Sequence, residues 1–480
     1  MEALTDEKVW RWRALHRLIG TGGACDLIYD LERTEIIEVP HRFRHQVAGT
    51  LAPGVLNEGV LGWFKSEGLL TAEPRKNWAQ GTPAQVPTVT DVSLDMSGAC
   101  NMGCAYCFEN EIGSRIGRMS VETALASLEF AFEKSRSSQH LSLHFGSGEP
   151  LLRFDLLQTI VHEASLRARI SGRTVSFELT TNATLVTHEI ACFLKEHPFN
   201  VRVSCDGPPH LHNPLRPLLG GQTSYKAVER GLRLLAEHLP DRLTVNSVLV
   251  GRSRLRQLWA WAKQMEIRHY HVIKVGAYAH DDLNLREAEL AEFRADLEAI
   301  CNDLFDDIAA YRRPIDYQPI TKIVRRLMIP EPVTRFCGVA GTYLGIASNG
   351  KVYPCFRHLG VQEYDLGDVR KGVADEKRKE FLGREAADVD SRPICQDCWA
   401  RYLCGGGCYA DSSVYGPKKT EPQTQHCPFW RTEIELAIRF YRRMVNEDPN
   451  YCLRLFGDDL DTLLDESEGE AAFTRRKNCL

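Results

Sequence analysis

Ten of the sixteen cysteines are gathered into two short regions, and this clustering constrains the chain more than any other feature. The first group is Cys100, Cys104 and Cys107, and the second contains seven cysteines between residues 337 and 427. Cysteine at about 3% is too scarce for a disulfide scaffold. The first residues carry acidic groups and lack the apolar core of a signal peptide, so we expect a cytoplasmic chain with reduced thiols. Clustered thiols in such a chain predict metal binding or redox chemistry.

The composition is that of a globular protein with several domains. With 480 residues, 43% of them hydrophobic and 26% charged, the chain is long enough for about three separate cores. The net charge of −5 disfavours a general nucleic-acid-binding protein, which would be basic. The sequence has no apolar run of the roughly 18 residues that a membrane-spanning helix needs. We therefore expect neither nucleic acid nor a membrane among the partners.

Residues 1–80 are predicted to form a small separate unit. The expected elements, two strands around a polar turn followed by two helices, are 25–30, 34–39, 41–50 and 55–68. Residues 74–88 contain three prolines and show no periodicity, which indicates a linker.

Residues 89–280 alternate short apolar runs with longer amphipathic ones, the pattern of a parallel α/β sheet. The candidate strands are 89–96, 140–145, 174–180, 199–204, 242–250 and 269–275. The clearest helices between them are 119–134 and 153–168. Six strand–helix units predict a partial (β/α)6 TIM-like barrel instead of a closed barrel of eight. Barrels of this kind carry their chemistry at the carboxyl ends of the strands.

The rest of the chain is predicted to contain three further parts. Residues 281–330 are expected to form a helical bridge. Residues 331–430 are rich in Cys, Gly and Pro with little periodicity, which is typical of a domain held by metal instead of an apolar core. Residues 431–480 predict a helix followed by an acidic tail.

The first cysteine group has the spacing C-x3-C-x2-C and directly follows the first candidate strand. Three thiolates on one loop can hold three irons of a cubane iron–sulfur cluster and leave the fourth iron open. A zinc site that lacks one ligand, or buried free thiols, is the plainer alternative. The triplet Cys100, Cys104 and Cys107, with the aromatic Tyr106 before the last cysteine, resembles the signature of radical S-adenosylmethionine (radical SAM) enzymes. The resemblance implies that the open iron binds S-adenosylmethionine, whose cleavage yields a 5′-deoxyadenosyl radical that takes hydrogen from a substrate.

Further motifs of the same domain match this family. The segment 146–150 resembles its glycine-glycine-glutamate-proline motif, with Ser147 replacing one glycine. The segment 180–182 resembles its Thr-Asn-Gly segment, and 204–216 resembles the Ser-x-Asp-Gly-Pro stretch of peptide-modifying members, with Asn213 where Asp is common. For most of these residues alone, an ordinary turn at a strand end is the alternative. The cofactor contacts that the resemblance implies are Tyr106, Gly148, Glu149, Thr181, Asn182, Ser204, Asp206, Arg216 and Val248.

The second cysteine group also has a diagnostic spacing. Its C-x2-C pair is typical of zinc as well, so two zinc sites are the alternative. The whole set closely resembles the twin auxiliary-cluster (SPASM) domain of radical SAM enzymes that modify peptides and proteins. The resemblance implies two further 4Fe–4S clusters, and so three in the chain. The outer one would be held by Cys395, Cys398, Cys404 and Cys427, and the inner one by Cys337, Cys355 and Cys408. The inner cluster then lacks one ligand, for which Cys301, Cys205, another side chain or a substrate thiolate is a candidate.

The family resemblance implies modification of a ribosomally made peptide or small protein. Because an iron with an open position can hold sulfur deprotonated, we predict an intramolecular thioether between a cysteine sulfur and carbon. The maturase of quinohemoprotein amine dehydrogenase is a relative of this type. A carbon–carbon or carbon–oxygen cross-link of the cyclophane type is one alternative. Formylglycine formation by an anaerobic sulfatase maturase is another. In those maturases the catalytic aspartate follows the cysteine that matches Cys355, where this chain has Phe356.

The partners are also inferred from the resemblance. Residues 1–80 resemble the winged-helix-like peptide-recognition domain of peptide-maturing enzymes, which implies a leader peptide bound along a strand edge. A packing extension without a partner is the alternative. A reductant such as flavodoxin or ferredoxin is implied as well. A radical enzyme for small molecules and a non-enzymatic iron–sulfur or zinc protein remain the competing classes.

The candidate catalytic base is Asp411, which lies three residues after Cys408. Cross-linking releases a proton, and a carboxylate close to the inner cluster can accept it. A solvated aspartate in a turn is the alternative.

Overall fold

The computed structural model describes most of the chain in stretches separated by short gaps. The described residues are 11–12, 16–20, 25–31, 33–47, 58–71, 85–112, 117–251, 253–276, 282–328, 332–416 and 418–456. Most of the predicted linker and the acidic tail from residue 457 onward lie outside the described residues.

Six parallel strands form the middle of one large sheet. They are β6 (Asp91–Leu94), β7 (His140–Phe145), β8 (Thr174–Thr181), β9 (Phe199–Ser204), β10 (Leu243–Leu249) and β11 (His269–Lys274). Each pairs in parallel with the next along the chain, so the six predicted strands are confirmed. In β7, Leu141, Leu143 and Phe145 are buried, because successive side chains of a strand point to opposite faces.

Helices between these strands cover the apolar face of the sheet. They are α3 (Phe108–Ile112), α4 (Val121–Lys134), α5 (Phe154–Ile170), α6 (His188–Glu196), α7 (Pro209–Leu215), α8 (Tyr225–His238) and α9 (Leu255–Gln264). The Thr123 amide donates to the Ser120 hydroxyl at 3.2 Å, which caps the start of α4. In α8, Val228, Leu232 and Leu235 are buried at helical spacing. The predicted α/β class with a parallel barrel sheet is confirmed.

The sheet continues beyond the barrel strands at both ends. At one end β12 (Asp316–Tyr317) pairs with β11, and at the other β13 (Tyr343–Ile346) pairs in parallel with β6. The antiparallel strands β14 (Lys351–Tyr353), β15 (Gly367–Asp368) and β16 (Gly372–Val373) follow. Backbone hydrogen bonds therefore join the cysteine-rich part to the barrel, which the sequence did not predict.

The cysteine-rich part has an apolar core of its own. Val339, Tyr353, Leu359 and Phe381 belong to one buried cluster in this region. The expectation of a domain held by metal instead of an apolar core is therefore wrong on this point, because short apolar runs between turns carry no detectable period. Its helices are α12 (Asp375–Gly383), α13 (Arg401–Cys404) and α14 (Tyr409–Ser413).

Further helices pack beside the barrel. They are α10 (Leu290–Ala309), α11 (Gln318–Met328), α15 (Cys427–Glu447) and α16 (Tyr451–Phe456). Lys274 at the end of β11 and Glu433 of α15 form a buried ion pair at 2.6 Å. Helix α15 begins four residues earlier than predicted, at a cysteine of the second group. Among the described residues, no helix combines the length and the apolar character needed to span a bilayer.

The amino-terminal unit contains a three-stranded antiparallel sheet in the order β2-β3-β4, followed by helices. Its elements are β1 (Arg11–Trp12), β2 (His16–Ile19), β3 (Leu27–Asp30), β4 (Glu35–Glu38), α1 (Arg44–Val47), α2 (Glu58–Ser66) and β5 (Leu70–Thr71). Ile28, Val60 and Phe64 are fully buried in its core. The unit contacts α15, where Arg442 donates to Glu38 at 3.1 Å.

Candidate active site and cysteine clusters

The loop 100–107 links β6 to α3 and is fixed by backbone hydrogen bonds. The Gly103 amide donates to the Pro217 carbonyl and the Ala105 amide to the Leu215 carbonyl, both at 2.9 Å. The segment at the end of α7 therefore holds the loop in place through the backbone.

The three thiols of this loop converge. The pKa of Cys100 is raised to about 12, chiefly by burial and to a smaller extent by Glu149 and the nearby thiols of Cys104 and Cys107. The Asn182 side-chain nitrogen lies 3.9 Å from the Cys100 sulfur. Thiols become thiolates when a metal binds them. The donor set therefore suits an iron–sulfur cluster.

Glu149 is the centre of the first group of predicted cofactor contacts. Its carboxylate accepts from the Thr181 hydroxyl at 2.7 Å, the Asn182 amide at 2.7 Å and the Leu151 amide at 3.1 Å. Burial raises the pKa of Glu149 to about 7 in spite of these hydrogen bonds. Glu149, Thr181 and Asn182 thus lie together next to the cysteine loop. Their contact with S-adenosylmethionine stays a prediction.

Gly148 occupies a position that only glycine fits. Its φ is +60°, and a Cβ atom there would lie 2.2 Å from the Ala99 carbonyl oxygen. The Gly148 amide donates to both carboxylate oxygens of Glu109, at 2.8 and 3.0 Å. Glu109 is not among the site residues predicted from the sequence. Its place two residues after Cys107 was the available signal, but a surface helix residue gives the same pattern.

Asp206 is the centre of a second buried group. Its carboxylate accepts from Arg216 at 2.9 and 3.2 Å, from the Val248 amide at 2.9 Å and from the Tyr106 hydroxyl. The Arg216 guanidinium also lies over the Tyr106 ring, 5.2 Å from its centroid. Burial opposes the charge on Arg216, but Asp206 raises the pKa of Arg216 well above its usual value. Four predicted contacts from distant parts of the sequence therefore form one network.

Two further residues of this stretch have distinct places. The Asn213 side chain accepts from the Ser224 and Tyr225 amides at 3.2 and 3.0 Å, so it caps α8. Ser204 ends β9 opposite Asn246 of β10. Among the described residues, the buried side-chain oxygen of Asn246 has no hydrogen-bond partner. A buried acceptor without a partner is a place where a ligand hydroxyl or amine can donate.

Four cysteines of the second group lie together at the start of α15. The Cys404, Cys398 and Cys427 thiols all add to the pKa of Cys395, which burial raises to about 12. Burial opposes the charge of Arg431, but the Cys398 thiol next to it raises the Arg431 pKa. These are the four cysteines that the resemblance assigned to the outer cluster.

The other three cysteines also lie together. Burial raises the pKa of Cys355, and the Cys408 and Cys337 thiols raise it further. The Cys355 sulfur lies 3.0 Å from Nδ1 of His358, and Arg357 donates to the Cys408 sulfur at 3.0 Å. The structure thus brings together the three cysteines that the resemblance assigned to the inner cluster.

A glycine turn separates the two sets. Residues Gly405–Gly407 all have positive φ, at 78°, 90° and 77°. Arg392 donates to the Gly406 carbonyl at 2.8 Å and holds the turn. Because this left-handed run reverses the chain, Cys404 lies with the outer set and Cys408 with the inner one.

The loop 100–107 and the inner set are joined by an aromatic contact. Phe108 directly follows Cys107, and its ring lies 5.7 Å from the ring of Phe356, which directly follows Cys355. The Arg357 guanidinium lies over the Phe108 ring at 5.2 Å. The two cysteine groups are therefore neighbours in space although 248 positions separate Cys107 from Cys355 in the sequence.

A histidine–aspartate pair lies on the polar face of the barrel sheet near the inner set. His144 Nε2 lies 3.0 Å from the Asp91 carboxylate, and the His144 ring is 5.3 Å from that of Tyr343. Burial opposes the charge of Asp91, but hydrogen bonds with His144 and Thr90 lower its pKa. Burial raises the pKa of Tyr343 well above its usual value, and Cys355 is among the groups that add to this. The sequence did not predict this pair, because a polar residue that alternates with apolar ones in a strand has no distinguishing signal.

Asp411 lies beside the inner set. Its carboxylate is 2.8 Å from Nη2 of Arg357, whose other terminal nitrogen bonds Cys408. Its role as catalytic base stays a prediction. The two candidate extra ligands occupy other places: the Cys205 sulfur lies 3.8 Å from the Gly207 carbonyl, and Cys301 is buried on α10.

Two family profiles match the chain. The radical SAM superfamily matches residues 94–263, and the SPASM iron–sulfur cluster-binding domain matches residues 337–399.

Known proteins resemble the chain at modest identity. The cysteine-type anaerobic sulfatase-maturating enzyme of Clostridium perfringens is 23% identical over 346 residues, 67% of this chain and 89% of the relative. The radical SAM cyclopropyl synthase TigE of Paramaledivibacter caminithermalis is 29% identical over 171 residues, 33% of this chain and 35% of the relative. The structure of native anSMEcpe with bound AdoMet and Cp18Cys peptide has a TM-score of 0.64 at 19% identity, and the match covers 74% of this chain and 99% of that one.

The fold and the two matched profiles show an enzyme with a radical SAM domain and a SPASM domain, and the proteins that it resembles include a sulfatase-maturating enzyme and a cyclopropyl synthase. These domains imply a 4Fe–4S cluster that binds S-adenosylmethionine, together with auxiliary clusters. The residues fit these groups, because three separate sets of cysteine thiols converge in the structure.

Proposed function

We propose that the enzyme joins a cysteine sulfur to a carbon atom within a ribosomally made peptide or small protein, forming an intramolecular thioether. The observation that carries this proposal is the 5.7 Å contact between the rings of Phe108 and Phe356. It places the loop of Cys107 next to the inner set at Cys355. A substrate that reaches this junction meets a hydrogen-abstracting site and a sulfur-binding site together.

We assign one 4Fe–4S cluster to each set of cysteines. The S-adenosylmethionine-binding cluster belongs to Cys100, Cys104 and Cys107, the outer cluster to Cys395, Cys398, Cys404 and Cys427, and the inner one to Cys337, Cys355 and Cys408. When bound, these groups supply a 5′-deoxyadenosyl radical that removes one hydrogen atom and an acceptor for the electron released as the sulfur–carbon bond forms. The substrate loses two hydrogens in total, one as an atom and one as a proton.

The chain's own residues orient S-adenosylmethionine. Glu149 accepts a hydrogen bond from the methionine amino group, because its carboxylate is already fixed by Thr181 and Asn182. Asp206 accepts four hydrogen bonds within the protein, which fills the capacity of a carboxylate. We therefore assign Asp206 to hold Arg216, Tyr106 and the Val248 backbone in place. Ser204 and the side-chain oxygen of Asn246, which has no hydrogen-bond partner among the described residues, remain to bind the ribose.

The inner set supports sulfur binding from the substrate. It offers three cysteines where a 4Fe–4S cluster has four irons. Arg357 donates to the Cys408 sulfur at 3.0 Å, so a positive charge lies where an additional thiolate would be stabilised. A substrate thiolate at this position would be held next to the carbon that loses hydrogen.

Two side chains are placed to accept the proton. Asp411 lies 2.8 Å from Arg357 beside Cys408, and His144 is oriented by Asp91 at 3.0 Å. A carboxylate that orients an imidazole is the usual support for a histidine base.

The variants Asp411→Asn and His144→Gln distinguish the two candidate bases. The true base is needed for cross-linking but not for uncoupled formation of 5′-deoxyadenosine. Asp411 is eliminated if its Asn variant cross-links at the normal rate with normal iron content.

The amino-terminal unit supports a peptide substrate with a leader. Strand β4 lies at the edge of its three-stranded sheet. An extended peptide can add to such an edge through main-chain hydrogen bonds. The contact between Arg442 and Glu38 connects this strand to α15, which also carries Cys427 of the outer set. A flavodoxin or ferredoxin would supply the electron that starts the reaction.

Formylglycine formation is the second candidate. The cysteine-type maturase of Clostridium perfringens supports it, because that enzyme is matched over most of its length. Phe356 disfavours formylglycine formation, because its ring packs against Phe108 and Tyr343 where those maturases carry an aspartate.

Product analysis separates the candidates. The reconstituted enzyme is incubated anaerobically with S-adenosylmethionine, a reductant and a cysteine-containing peptide encoded beside its gene. A thioether keeps the sulfur, loses two hydrogens and no longer reacts with a thiol-alkylating reagent. Formylglycine made from cysteine loses the sulfur and reacts with a carbonyl reagent. A cross-link that survives replacement of every substrate cysteine would overturn the thioether and favour a carbon–carbon or carbon–oxygen bond.

A further inference from the structure

Three metal-ligating side chains converge on the outside of the barrel, away from the cysteine sets described above. His188 and Cys192 lie one turn apart on α6, and His238 ends α8. One ligand atom from each residue lies within 4.8 Å of the other two. His188 is exposed, whereas Cys192 and His238 are half-buried.

The distance between two of these atoms matches a tetrahedral zinc site. Zinc binds sulfur at about 2.3 Å and imidazole nitrogen at about 2.0–2.1 Å, so two such ligands are separated by about 3.5 Å. The Cys192 sulfur lies 3.5 Å from Nε2 of His188. The rings of His188 and His238 are 5.0 Å apart between centroids and nearly perpendicular, at 74°.

The third ligand is already oriented. Nδ1 of His238 is 2.9 Å from the Leu234 carbonyl, to which it donates. This fixes the tautomer and leaves Nε2 of His238 with a free lone pair, the arrangement that supports metal-binding histidines in general. One sulfur and two imidazoles suit a borderline-soft divalent ion.

We propose that His188, Cys192 and His238 form a zinc site whose fourth position faces solvent. The ion would link α6 to α8. These helices already pack against each other, and Arg230 of α8 donates at 3.2 Å to the carbonyl of Thr184, which lies in the loop before α6. Thr184 lies two residues after Asn182, so the zinc would steady the loop that carries a predicted cofactor contact.

Metal analysis of the cluster-loaded enzyme tests the site. The protein is mixed with one equivalent of zinc chloride, desalted and analysed for zinc and iron together. The wild type should retain one zinc per chain. The double variant Cys192→Ser with His238→Gln should retain at least tenfold less zinc with the same iron content.

A matched control removes two other surface histidines. His162 and His197 have ring centroids 5.6 Å apart but no cysteine ligand is described beside them. The double variant His162→Gln with His197→Gln should keep its zinc. Zinc-edge absorption spectroscopy should find one sulfur at about 2.3 Å and two nitrogens at about 2.0–2.1 Å. Equal zinc in the wild type and the Cys192→Ser double variant, or a zinc shell with several sulfurs, would overturn the proposal.

Discussion

The barrel and the cysteine-rich region 332–427 are held together in different ways. Barrel strands of four to eight residues bury large side chains such as Phe145, Phe177 and Phe199 completely. The strands in region 332–427 have only two to four residues. In that region Arg378, which is 2% exposed, donates to the carbonyls of Ala340, Gly341 and Pro87.

This difference follows from how backbone groups are satisfied. Strands and helices pair their own carbonyls, whereas irregular loops leave carbonyls that need other donors. A buried guanidinium offers five N–H groups and can serve several carbonyls at once. Region 332–427 therefore adds a few buried polar side chains and its cysteines to a small apolar core, while the barrel depends on many apolar contacts. The two regions should respond differently to the same kind of change.

Loss of the cysteines should have the largest and most contrasting effects. Replacing Cys100, Cys104 and Cys107 with Ala should abolish S-adenosylmethionine cleavage and leave the unfolding temperature nearly unchanged, because backbone bonds hold their loop. Replacing Cys395 and Cys398 with Ser should lower the unfolding temperature by about 10 °C or more, because the outer cluster ties distant segments together. Circular dichroism on reconstituted samples measures the unfolding temperature of each variant. Equal unfolding temperatures for the two variants would contradict the contrast.

Replacing a buried arginine should be the next most damaging change. Arg378→Met leaves three backbone carbonyls without donors, and we expect a loss of about 3–5 kcal/mol in the free energy of unfolding. Arg384→Met is the matched control, because its side chain is 61% exposed, and we expect less than about 0.5 kcal/mol. Denaturant unfolding of the two variants provides the comparison. A small loss for Arg378→Met would show that apolar packing holds this region after all.

Glycine replacement tests how closely the barrel's catalytic edge is packed. Gly148→Ala places a methyl group 2.2 Å from the Ala99 carbonyl and should reduce S-adenosylmethionine cleavage about 100-fold by displacing Glu149. Gly172→Ala is the control, since Gly172 also has positive φ (+66°) but no atom within 4 Å of the added methyl group. It should cost only about 1–2 kcal/mol of stability and leave cleavage unchanged. Similar cleavage rates in the two variants would show that crowding at Gly148 is unimportant.

The loss of stability in acid should include a smaller contribution from His271 of the barrel. Burial, reinforced by Arg202, lowers the pKa of His271 from 6.5 to about 3. The unfolded chain therefore binds a proton that the folded one excludes, and stability is lost as the pH falls from 6.5 towards 3. His271→Asn should reduce the slope of stability against pH by at most roughly 1.4 kcal/mol per unit in that range. An unchanged slope in His271→Asn would refute the assignment.

The sequence predicted the features that local patterns encode. The six barrel strands follow from alternation and length, and the cysteine sets follow from their spacing. Strand β13 was missed because its pairing with β6 joins residues about 250 positions apart. Glu109 and the pair of His144 and Asp91 were missed for the same reason, since only the folded chain brings their partners together.

The buried arginines were also beyond the reach of the sequence. An arginine such as Arg378 in a charged segment predicts a surface helix, and its burial depends on carbonyls supplied by distant loops. Asn213 shows the reverse case. This residue stands where the family often has Asp, and in the structure its side chain caps α8.

Iron and 5′-deoxyadenosine, measured on the same anaerobically reconstituted samples, test the assignment of three clusters most directly. The wild type should contain about 12 irons per chain, and replacement of either Cys100, Cys104 and Cys107 or Cys337, Cys355 and Cys408 with Ala should leave about 8. Only the first replacement should abolish 5′-deoxyadenosine. Little iron together with about two zinc ions per chain would contradict the assignment and indicate a zinc-binding protein.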